Sequence, residues 1–162
     1  MAALAAATQR KWKNIFSFVQ NYIVLNASTI YVGSFVGGLN GTSTAQRGYA
    51  QPFKDSNLIK YLGYCFGSPF DLSTTLTVVG NTSASRVPQV SVEAGPGILQ
   101  GATVTGVAAV TDQFRYVYLR NDNDLNVTQV LSGRVGRIEY WSSGTTVDVL
   151  MFGNIARDCA GL

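Results

Sequence analysis

The chain has 162 residues, enough for one domain with a substantial core. Hydrophobic residues make up 46% and charged residues 13%, about half the ~25% usual in a soluble domain, so much of the surface is expected to be covered by other protein chains or made polar by Ser, Thr, Asn and Gln. A net charge of +3, with no basic cluster beyond Arg10, Lys11 and Lys13, argues against a nucleic-acid partner, and the absence of histidine removes the commonest general base and metal ligand.

In chain order, the first element is an N-terminal arm, residues 1–25. Its apolar opening is followed, not preceded, by the basic residues, so it does not read as a signal peptide, and no apolar stretch reaches the ~18 residues that a membrane span needs. Ile15, Phe16, Phe18, Val19, Tyr22 and Ile23 then recur at spacings of three and four. That pattern fits a short helix, or an extended arm that inserts apolar side chains into a neighbouring chain. With Trp12 these six are the candidate contact residues.

A β domain is expected over 26–153, followed by a C-terminal tail at 154–162. Runs rich in Val, Ile, Thr, Tyr and Phe, separated by Gly, Asn, Ser and Asp, place strands at 29–36, 62–66, 76–79, 88–93, 116–119, 127–131, 134–140 and 146–152. Gly33, Gly63, Gly97 and Gly136 lie in or beside these runs, where glycine commonly marks bulges and corners. The fold class expected is mainly β: a compact antiparallel β-sandwich or small barrel carrying an N-terminal arm or short helix.

Candidate chemistry is sparse. Asp122, Asp124 and Asn126 have the alternate spacing of a calcium loop, but Val127 replaces the glycine and Gly133 the distal glutamate of such a loop, so a hairpin turn fits better. Gly95-Pro96-Gly97 lacks the fuller glycine pattern and following helix of a phosphate loop and reads as a turn. The acidic residues are scattered, and none stands in a recognisable catalytic context. Cys65, inside the apolar run 61–66, is expected to be a buried thiol; a disulfide to Cys159 has no support. Sequons at Asn26, Asn40, Asn81 and Asn126 read as turn chemistry. Trp12, Tyr140 and Trp141 form a candidate aromatic platform for a carbohydrate or a protein. No catalytic residue, cofactor, metal or small-molecule substrate is expected.

The order of elements resembles the capsid cement, or head decoration, proteins of tailed bacteriophages. The resemblance is carried by residues 29–36, Leu62-Gly63-Tyr64, Val90-Ser91-Val92-Glu93, Tyr116-Val117-Tyr118-Leu119 with Asn121-Asp122-Asn123-Asp124, Val135-Gly136-Arg137-Ile138 and Val147-Asp148-Val149-Leu150. It implies a structural virion protein, made in the host bacterial cytoplasm, that sits on the outer capsid surface and bridges major capsid protein subunits. It further implies a homo-oligomer, dimer or trimer, with neither nucleic acid nor membrane as partner. Alternatives are a receptor- or carbohydrate-binding module of a phage tail, or a tail-tube or connector protein.

Overall fold

In a computed structural model, residues 10–15, 17–39, 48–56, 58–70, 77–81, 83–131 and 133–153 are described. The fold is mainly β, as expected, with thirteen strands among the described residues. Strands β9 (Gly97–Thr105), β10 (Tyr116–Leu119), β11 (Leu125–Asn126), β12 (Arg134–Ser143) and β13 (Thr146–Met151) close into a barrel, because β13 pairs with both β12 and β9 while β11 runs parallel to the end of β9. The β12–β13 hairpin follows the period-two rule. Val147, Val149 and Met151 are buried in the barrel, and Thr146, Asp148 and Leu150 face outward.

A second, antiparallel sheet has the order β2 (Val19–Ile23), β8 (Gln89–Glu93), β6 (Ile59–Gly67), β4 (Phe35–Leu39), β5 (Ala50–Pro52). Its two edges are drawn together where Val24 bridges Ala50. A two-stranded ribbon of β3 (Thr29–Tyr31) and β7 (Thr77–Val79) lies beside it. The barrel core continues into the second sheet through Phe35, Phe53, Tyr61 and Tyr64. A separate aliphatic core gathers Val24, Ile30, Val36, Cys65, Val90 and Val92.

Several sequence expectations change. The helix alternative for the arm gives way to two strands: β1 (Lys11–Asn14) pairs with β9, and β2 pairs with β8. β-Branched Ile15, Val19 and Ile23 disfavour helix, and the open edges of two sheets offer the backbone a ladder instead. Lys11–Asn14 and Val19–Ile23 therefore form a strap, one strand on each sheet. The run 29–36 is broken at Gly33, where φ is 92° and the chain turns. The run 127–131 is not a strand; β10 pairs instead with the two-residue β11 and with β12. Strand β9 lies outside the runs expected from sequence; it is the hub of the barrel and bends at Gly101, where φ is 60°.

Candidate interaction surfaces

The inner side of the strap is a set of ties between the two sheets. Trp12 stacks on Tyr64 of β6 with ring centroids 5.2 Å apart and planes within 5°. A Cβ on Gly97 would lie 2.5 Å from the Trp12 ring, so only glycine lets the indole lie flat there. Arg10 donates from Nε to the Gly33 carbonyl and from its guanidinium to Asn123 Oδ1, and it sits 4.9 Å over the Phe35 ring. Burial lowers the Arg10 pKa from its usual value, with Tyr64 and Asp122 acting the other way. Burial likewise raises the Tyr64 hydroxyl. At the elbow between β1 and β2, the buried Glu93 carboxylate accepts hydrogen bonds from Ser17 Oγ (2.8 Å), Phe18 N (2.7 Å) and Gly95 N (3.2 Å). A cleft of about 370 Å³ lies under this elbow, lined by Arg10, Trp12, Tyr64, Phe66 and Glu93 among others. Its charged groups already serve the strap.

The candidate contact residues divide by side. Trp12 is packed inward, Phe18 is half-buried, and Tyr22 leans on the aliphatic core. Phe16 lies outside the described residues. Ile15, Val19 and Ile23 face solvent, 58%, 48% and 38% exposed. In β2 Gln20 and Tyr22 take the inward side, and Val19, Asn21 and Ile23 the outward one, so two aliphatics face solvent.

The Asp/Asn segment is a turn whose polar groups bind the backbone. Asn121 Oδ1 accepts from the amides of Asn123 (2.9 Å) and Asp124 (2.8 Å), and Asn126 Oδ1 from Thr128 N (2.6 Å). Asp122, Asp124 and Asn126 are buried. The Asp122 carbonyl accepts from Phe35 N, which ties the turn to the second sheet. Asn81, another sequon position, accepts from Ser83 N in the same manner. Cys65 is a free, fully buried thiol, and burial pushes its pKa up to about 11. Cys159 lies outside the described residues.

The expected aromatic platform is divided. Trp12 is committed to Tyr64, and Trp141 packs against the barrel core while its Nε1 donates to the Gly144 carbonyl. Tyr140 alone of the three is exposed. A different aromatic surface covers the outside of β10, β12 and β13. Phe114 is 64% exposed, Tyr116 40% and Tyr140 59%. The Arg134 guanidinium lies 4.0 Å over the Tyr116 ring, Arg137 lies 5.7 Å from Phe114, and Phe152 meets Tyr116 edge to face at 6.4 Å. Cross-strand register explains the grouping, since Tyr116 pairs with Arg137 and Arg137 with Leu150. The sequence signal was Gln113-Phe114-Arg115-Tyr116 beside Arg134 and Arg137, visible only once β10 and β12 are known to be neighbours.

No protein-family model, curated protein or solved structure matches the chain.

Proposed function

We propose that this chain is a non-catalytic structural protein of a virion: a cement protein that binds the outside of a tailed-phage capsid as a homo-oligomer and bridges major capsid protein subunits. The observation that carries this is the outward placement of Val19 and Ile23 on the edge strand β2, with Ile15 exposed just after β1. A monomer with so few charges gains nothing from turning aliphatic side chains to water, whereas a binding protein gains a seam for a neighbouring chain. The resemblance in element order to capsid cement proteins supports the capsid as the surface bound. Burial at such a seam contributes about 25 cal/mol per Å² of apolar surface, and repetition over a shell multiplies it.

The test is to add purified protein to capsids assembled without it and to image the particles by electron microscopy. Regular density on the outer surface, with greater resistance of the shell to heat, is the expected result. Bare shells at saturating protein reject the proposal. Density at a tail, tube or connector would move the protein to that location instead.

A further inference from the structure

We infer that the outer face of the barrel, built from Phe114, Tyr116, Arg134, Arg137 and Tyr140, docks an acidic, apolar segment of a partner protein. The inference rests on the protein-binding role proposed above and assigns it a footprint separate from the strap.

Phe114 is the first reason. Its φ is 67°, a left-handed backbone that a bulky residue seldom adopts, and its side chain is largely exposed. The conformation is held from both sides. The Phe114 amide donates to the Ile138 carbonyl, and the preceding turn is fastened by Asp112, whose carboxylate accepts from Ala108 N, Ala109 N and Arg115. A strained backbone that presents an aromatic ring to water brings no burial inside this chain. Strain of this kind clusters where a ligand is clamped.

Charge supplies the partner's chemistry. Arg137 is paired with Glu139 and Arg115 with Asp112. Arg134 has the Tyr116 ring as its contact and no carboxylate partner among the described residues. A cation stacked on an aromatic ring, among further aromatics, has the composition of an interface centre and is complementary to a carboxylate beside an apolar side chain.

A second copy of this chain is a poor occupant. A twofold contact pairs each residue with a different residue of the other copy unless it lies on the axis, so Arg134 would need an acid supplied by another part of this chain. The described carboxylates offer no spare acid. Glu93, Asp122 and Asp124 are buried, while Asp55, Asp112, Glu139 and Asp148 already hold partners in the chain. A sugar is disfavoured as well, because one face of Tyr116 is taken by Arg134 and its edge by Phe152.

The experiment compares Arg134→Glu, Phe114→Gly and the control Arg86→Glu, which lies over Phe70 on another part of the molecule. Each is titrated onto capsids that lack this protein, with thermal melts to verify folding. The first two variants are expected to fold and to lose at least tenfold in apparent affinity, and wild-type binding is expected to weaken as salt rises. Arg86→Glu is expected to bind as wild type. If both patch variants bind like wild type, this footprint is overturned and the cement role stands. If the wild type leaves the shells bare, both fall. Loss of binding to a glycan array or to anionic phospholipid vesicles on Arg134→Glu, with shell binding unchanged, would overturn the protein partner in favour of that other class.

Discussion

The strap and the outer face of the barrel both turn large apolar side chains to solvent, yet they do so at opposite cost to the fold. In the strap, Ile15, Val19 and Ile23 face out while Arg10, Trp12 and the elbow held by Glu93 tie the two sheets together on the inner side. The barrel face has no such inner duty at Phe114. Its ring is exposed, and its backbone is held in a strained turn by Asp112 and the Ile138 carbonyl. One surface lies on the outward side of an element the fold requires. The other is maintained against the preference of the chain, which is why it makes the sharper candidate for a specific contact.

The largest test removes the strap. Deleting residues 1–25 takes away both β1 and β2 with the Trp12 and Arg10 ties, so a loss of about 5 kcal/mol or more is expected, enough to unfold a marginal domain. Trp12→Ala alone should cost about 3 kcal/mol, because the Tyr64 ring and the Gly97 backbone lose their shared partner. Thermal melts read both. An unchanged melting temperature for the truncated protein would make the strap a pure anchor with no part in the fold.

On the barrel face the sign reverses. Phe114→Gly relieves the left-handed backbone and should stabilise the isolated protein by about 1 kcal/mol while weakening its binding. Denaturant unfolding measures the first quantity. If that variant is destabilised, Phe114 belongs to the fold after all and the two regions are alike.

Smaller effects separate the two sides of the strap itself. Val19→Ser with Ile23→Ser changes only outward-facing side chains, so stability should stay within about 0.5 kcal/mol of wild type. Sedimentation should nevertheless shift toward smaller species if this edge joins copies of the chain. An unaltered oligomer would remove the edge from the assembly contact.

The smallest expected effect is on pH dependence. Hydrogen bonds from Ala108 N, Arg115 and Ala109 N hold the Asp112 carboxyl down at about 2, below its ordinary 3.8. A carboxyl depressed on folding adds stability that is complete above its unfolded pKa and is lost as pH falls through the folded one. Asp112→Asn should therefore flatten the fall in stability between about pH 4 and pH 2. An identical acid profile in that window would mean that Asp112 does not brace the turn before Phe114.

Local pattern carried a good part of this molecule. The alternation in 146–151, the run through Val90 and Val92, the buried thiol of Cys65 and the turn chemistry of Asn121–Asn126 could be read directly, because each depends on neighbours a few residues away. The apolar residues of the arm were also visible, though not which of them face outward. Doublets such as Phe18-Val19 and Tyr22-Ile23 satisfy a helical period and a strand period equally.

What only tertiary structure decided is long-range pairing. Strand β9 has its β-formers Ile98, Thr103, Val104 and Thr105 interrupted by Gly101, which breaks the local signal; β1, β11 and β13 all bond to it and hold it as one strand. The surface formed by Phe114, Tyr116, Arg134 and Arg137 exists for the same reason. Residues about twenty positions apart in sequence meet there because antiparallel register sets them side by side, and that register follows from barrel closure, which no short window of sequence contains.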